Sequence, residues 1–236
     1  MKIPEFKIRT DLALEEREGL KEAAEEVSGV SFKKWEGKRS AAQITEVKVL
    51  NEHGAKALGK PMGSYLTLEA DKLLMPDEDF HSEVSDELAL LLKGLLKQKT
   101  GKNILVAGLG NQSVTPDSLG PRTVSNLCVS AEGLKAIAPG VMAQTGMETS
   151  EIIEGVVEIT KPDVVIAVDA LAARNVHRLA STIQLTDTGI HPGSGVGNHR
   201  HSLTKETLGI PVLAIGVPTV VGAAAIVHDT ISALLG

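Results

Sequence analysis

Cys128 is the only cysteine in 236 residues, which excludes an intramolecular disulfide and a thiolate zinc cage and gives no sign of an oxidising compartment. It stands in an apolar run with Val124, Leu127 and Val129, so it is expected as a core thiol rather than a nucleophile. No apolar signal-peptide core follows Met1, and no uninterrupted apolar stretch is long enough to span a bilayer. A cytoplasmic protein without a membrane partner is the expectation. Basic excess is lacking as well: 24 Lys and Arg stand against 30 Asp and Glu, a net charge of -6. That balance disfavours a sequence-independent grip on phosphate backbones, and no direct nucleic-acid partner is expected. There is no internal repeat, no low-complexity linker and no HExxH zinc signature.

What is present is the patterning of a single α/β domain over residues 1–236, a length that can bury one substantial core. A charged helix is expected from Leu12 to Val27. Strands are expected at Ile44 to Leu50 and Tyr65 to Glu69, with a short helix or loop between them. Val84, Leu88, Leu91, Leu92, Leu95 and Leu96 recur at helical spacing and predict a helix over Asp77 to Lys99. Short apolar runs then alternate with glycine-rich turns: Ile104 to Leu109, Val164 to Val168 and Val212 to Val217. Helices are expected after them at Pro121 to Val129, Thr149 to Ile159 and Thr219 to Leu235. This is the texture of a largely parallel or mixed central sheet with helices on both faces. In such sheets ligands collect at the carboxyl ends of strands.

The residues there that carry chemistry are Asp117 and Asp169. Each could instead cap a following helix, with Ala170-Leu171-Ala172 as the start of one. Two carboxylates at neighbouring strand ends would raise each other's pKa and could hold one proton between them, an acid and a base for activating water. Gly108-Leu109-Gly110 follows a strand, but Ser113 stands where a dinucleotide fingerprint needs its third glycine, so a tight turn is the better reading. The segment from Ile190 to His201 contains three histidines and is too rich in glycine for a regular element. It could hold an anion, supply His191 to a metal, shape a substrate groove, or be a solvent-exposed turn. Ala138 to Gly146 is a second irregular loop, able to line a cleft or merely cover the sheet.

Longer strings resemble a known family. Ile8-Arg9-Thr10-Asp11-Leu12-Ala13-Leu14-Glu15, Val106 to Asn111 with Val114-Thr115-Pro116-Asp117, Ala138 to Met142, Asp187 to Asn198, and Gly209 to Val212 with Val217 to Val221 closely resemble the spore germination proteases, in order and over almost the whole chain. The resemblance implies a fold like that of the hydrogenase maturation endopeptidases and an endopeptidase that degrades small acid-soluble spore proteins during germination. It implies a zymogen, usually a tetramer, that cleaves its own amino-terminal segment in the forespore. Asp117 and Asp169 map onto the two aspartates implicated in catalysis, and His191, Gly193 and Gly195 fall where substrate contact is expected. The family's substrates are cut after an acidic residue in a Thr-Glu-(Phe/Ile)-Ala-Ser-Glu context, which Thr10 to Glu15 imitates. Self-cleavage between Asp11 and Leu12 is therefore expected, with residues 1–11 as propeptide, although Asp11 could also cap the helix that follows.

The resemblance leaves the chemistry open. No cofactor is expected from the residues, yet a divalent metal held by Asp117, Asp169 and perhaps His191 is an alternative to an aspartic mechanism. The sequence stops at Gly236, where family members usually continue, and Val221-Gly222 stands where an acidic residue commonly follows the valine. A short member, or a non-catalytic paralogue that binds spore-protein-like peptides, is a further alternative.

Overall fold

The apolar runs that begin at Ile104, Val164 and Val212 lie side by side in the computed structural model of the chain, which describes residues 10–21, 27–96, 103–190 and 202–235. The strands are β1 (Val30–Glu36), β2 (Gln43–Val49), β3 (Gly63–Glu69), β4 (Ile104–Gly108), β5 (Leu134–Ile137), β6 (Val164–Ala173), β7 (Thr182–Thr186) and β8 (Val212–Val221). The helices are α1 (Ala13–Lys21), α2 (Glu52–Leu58), α3 (Glu78–Leu96), α4 (Leu119–Asn126), α5 (Met142–Thr145), α6 (Thr149–Thr160), α7 (Lys205–Leu208) and α8 (Ala223–Leu235). One eight-stranded sheet runs β1-β2-β3-β7-β8-β6-β4-β5. The half containing β8, β6, β4 and β5 is parallel, and β1, β2, β3, β7 and β8 pair antiparallel. The α/β expectation holds, with a mixed sheet.

Alternation along the strands divides the core between the two faces. On one face Ile44 and Leu68 pack with Phe80 and Val84 of α3, and Val106, Ile166 and Val168 pack with Leu92 of α3 and Val124 of α4. On the other, Val47 and Tyr65 meet Ala13 of α1 and Leu58 of α2, while Leu105, Val165 and Ala167 meet Ile153 and Val157 of α6. Full burial of each valine, leucine, isoleucine or phenylalanine of this kind contributes about 1.5–3 kcal/mol. Among the described residues no helix is long and apolar enough to cross a membrane.

Three expectations are corrected. Ala170-Leu171-Ala172 begins no helix: β6 continues to Ala173, because pairing with β8 as far as Val221 outweighs the helix preference of alanine and leucine. For the same reason Thr219 to Val221 belong to β8, and α8 starts only at Ala223. Pro218, which cannot donate to a ladder, sits where the register shifts between Leu171 and Ala172. Cys128 is exposed rather than core, since the chain leaves α4 at Leu127 in an extended conformation. Its thiol is pulled below the usual range by the hydrogen bond with Ser130.

Candidate active site

The turn out of β4 brings Asp117 back towards the sheet. Gly110 has φ +109, and a side chain built there would stand 2.1 Å from the Asp117 carbonyl oxygen. Only glycine fits that crossing. Asp117 ends a single 3-10 turn, Thr115–Asp117, and its Oδ2 accepts the Asn111 N–H at 2.8 Å. The carboxylate thus closes the loop instead of capping α4, whose N-cap, Ser118, makes no side-chain capping bond. Thr219 Oγ1 donates to the Pro116 carbonyl at 2.6 Å, and Gln144 Nε2 donates to Asn111 Oδ1 at 2.9 Å. The Ala138 to Gly146 segment, which contains the short helix α5, is thereby fastened beside Asp117. Val114, Met142 and Met147 are exposed there.

Asp169 is the first β6 residue past the pairing with β4, which ends at Gly108 opposite Val168. It occupies the face of Val165 and Ala167, half-buried, and its Oδ1 accepts the Ala170 N–H at 2.9 Å. Burial is the main cause that pushes its carboxyl up to about 7; the Ala170 N–H opposes the shift, and the charges of Asp117 and Asp11 add to it. The charges of Asp117 and Asp11 thus both reach Asp169, without the three carboxylates converging into a coordinating cluster.

Asp11 arrives through an edge that β4 leaves open. Its N–H donates to the Ala172 carbonyl at 2.9 Å, and its Oδ2 accepts the Ala172 N–H at 2.8 Å. The carboxylate is bound to β6, so it is not the cap of α1. Leu12 packs with Leu171 and Ala173. Glu15, fully buried, accepts the N–H groups of Arg174 at 2.7 Å and Asn175 at 2.9 Å, the Thr10 hydroxyl, and an ion pair from Arg178 Nη1 at 3.2 Å. Burial lowers the Arg178 guanidinium, but Glu18 and Glu69 outweigh it and hold the group above its usual range. Neither the Glu15 cradle nor its Arg178 clamp is legible in sequence, since their partners lie far along the chain. The acidic spacing of Asp11 and Glu15 was the available signal.

His191, Gly193 and Gly195 lie outside the described residues. The residues that flank them, Ile190 and Leu203, pair through N–H to carbonyl bonds of 2.9 and 2.8 Å and share a cluster with Val165 and Ala167, on the face that carries Asp169. Among the described residues no group of three or more His, Cys, Asp or Glu gathers as a metal site would require. The chemistry available to those residues is that of a carboxylate pair beside a docked peptide segment.

A family model described as germination protease matches residues 8–236. The germination protease of Caldanaerobacter subterraneus subsp. tengcongensis is 51% identical over 242 residues, covering 97% of this chain and 74% of its own length. That of Oceanobacillus iheyensis is 47% identical over 254 residues, covering 98% of this chain and 68% of its own. Among solved structures, the NiFe hydrogenase maturation protease HycI from Thermococcus kodakarensis KOD1 is similar over 54% of this chain and 80% of its own, with 22% identity and a TM-score of 0.40.

Proposed function

Because this chain belongs to the germination protease family and is a peptide-bond hydrolase of spore germination, we propose that Asp117 and Asp169 are its catalytic pair. The observation that carries the assignment is the half-buried Asp169 just past the β4 pairing, its carboxyl raised to about 7 within reach of the Asp117 charge, with Asp11 docked three residues further along the same strand. A protonated Asp169 donates to the leaving amine while Asp117 takes a proton from the attacking water. Residues 1–236 act as one peptidase domain made as a zymogen, and residues 1–11 are the propeptide, released by self-cleavage between Asp11 and Leu12. The string Thr10 to Glu15 supports this reading, because it places an acidic residue against β6 as a substrate would be placed.

The substrates are small acid-soluble spore proteins in the spore core, cut after an acidic residue, with His191, Gly193 and Gly195 contributing to the groove. The working form is a homotetramer; exposed Ile226, Val227, Ile231 and Leu234 on α8 offer an apolar face for a second copy. Digestion of a small acid-soluble spore protein, with and without a chelator, tests the assignment. Cleavage after an acidic residue that survives the chelator and is lost in Asp117→Asn and Asp169→Asn is expected. Cleavage that a chelator abolishes and zinc or another divalent cation restores would replace the proton-sharing pair with a metal site. Binding of the spore protein without cleavage at any pH would remove the catalytic reading altogether.

A further inference from the structure

The carbonyl of Asp11 is gripped from two sides. Lys60 Nζ donates to it at 3.0 Å and Gln184 Nε2 at 3.3 Å, while Gln184 Oε1 accepts the Ala13 N–H at 2.8 Å. The Gln184 amide therefore brackets Leu12, holding the carbonyl of the Asp11–Leu12 bond on one side and the Ala13 N–H on the other, while the Leu12 N–H itself donates to Thr10 Oγ1 at 3.0 Å. The orientation of that amide is set by chemistry, since the Ala13 N–H can only meet an acceptor.

Both donors are built in. Gln184 is buried on β7 between Thr67 of β3 and Gly216 of β8. Lys60 follows the left-handed Gly59, φ +66, which ends α2, and its own N–H returns to the Ala55 carbonyl at 3.3 Å. Register relates Gln184 to Asp169 as well. Gln184 is opposite Gly216 on one side, and Asp169 is opposite Gly216 on the other. Residues opposite one another share a face, so Gln184 and Asp169 project from the same face, their backbones about 10 Å apart across a glycine without a side chain.

Resting on the reading of Asp117 and Asp169 as the peptidase pair, we propose that Lys60 and Gln184 are the carbonyl-polarising donors of the same site, acting first on the Asp11–Leu12 bond and then on the bond that a substrate presents in its place. Water adds its oxygen to the Asp11 carbonyl carbon and gives a proton to Asp117. The negative charge that develops on the carbonyl oxygen falls on the Lys60 ammonium and the Gln184 N–H. As the C–N bond breaks, Asp169 gives its proton to the Leu12 nitrogen, leaving an Asp11 carboxyl group and a Leu12 amine. Donors already in place where charge appears need no rearrangement during reaction, which is the source of their effect.

A purely structural account is that Lys60 and Gln184 only tie the segment down, Gln184 satisfying the first N–H of α1. Timed intact-mass measurement of self-cleavage in the full chain separates the two. The parental chain, Asp169→Asn, Lys60→Met, Lys60→Arg and Gln184→Glu are compared, with folding checked by thermal melting and the docking of Asp11 read from hydrogen exchange of the Ala172 amide. Occupancy is intramolecular, so the rate reports the chemical step. Removing one such donor is expected to slow appearance of the chain beginning at Leu12 by about 100-fold or more, with Ala172 exchange unchanged and Lys60→Arg within about tenfold of the parental rate. Folded Lys60→Met and Gln184→Glu chains that cleave at the parental rate while Asp169→Asn is arrested would overturn this inference and leave the carboxylate pair standing. Exchange of the Ala172 amide that quickens in step with lost cleavage would reduce both residues to anchors. A parental chain that never begins at Leu12 overturns the self-cleavage reading and this inference together.

Discussion

Asp169 carries the most pH-sensitive consequence of the site. Unfolded, its carboxyl ionises near the ordinary value of 3.8, whereas in the folded chain it holds its proton to about 7. The folded form therefore loses stability as pH rises through that window and levels off above it. Asp169→Asn, which carries no charge at any pH, should gain stability relative to the parental chain from pH 4 to pH 7, on the order of a few kcal/mol. Urea melts at pH 4, 5.5 and 8 would show the difference, and a constant gap would contradict it. Asp11 adds to the raised pKa, so Asp11→Asn should bring the Asp169 pKa down. If Asp169 acts as the acid, the alkaline limb of the cleavage profile then moves to lower pH. Both aspartates of the proposed pair stood out in the sequence by their place after apolar runs and by the family strings, although each also had a capping explanation. The capping explanations failed at Asp117 and Asp11, where backbone N–H groups of Asn111 and Ala172 take the carboxylates. Lys60 and Gln184 were not legible, since each meets Asp11 only through the fold.

The element that organises the site is β6. Its run past β4 exposes an edge for Asp11, and its end supplies the Arg174 and Asn175 N–H groups to Glu15. The apolar run Val164 to Val168 announced the strand, but its last residues, Ala170 to Ala173, carry no local strand preference and are fixed by β8. The strands β1, β5 and β7 were missed for the same reason, being short or polar and dependent on their neighbours. The α1 attachment predicts a large effect for a residue remote from the chemistry. Arg178→Met would leave Glu15 buried without its cation and should lower stability by about 3–5 kcal/mol in urea unfolding. A loss below about 1 kcal/mol would mean that the two N–H groups suffice. In the row beside Gln184, the Thr45 and Thr67 hydroxyls are buried without a hydrogen-bond partner among the described residues. Thr67→Val keeps the shape and removes an unmet polar group, so the melting temperature should hold or rise.

Across the whole molecule, a mixed sheet with helices on both faces sets β7, β8, β6 and β4 side by side, and the proposed site residues Asp169 and Gln184 lie on either side of Gly216 where three of these strands meet. The alternating runs and glycine turns made this α/β architecture legible, and the motif strings made the family legible. The antiparallel half was not, because sheet order follows from long-range pairing that no local pattern encodes. If α8 joins copies of the chain, Ile226→Glu combined with Leu234→Glu should reduce the assembly to monomers in light scattering, with the fold intact. The central claim is that Asp117 and Asp169 cut the peptide bond. Intact-mass spectrometry of the purified parental chain, Asp117→Asn and Asp169→Asn, incubated together with a small acid-soluble spore protein, tests it most directly. The account predicts a parental chain beginning at Leu12 and a substrate cut after acidic residues, with both variants folded, uncut and inactive. A folded Asp169→Asn chain that processes itself and its substrate at the parental rate would contradict it.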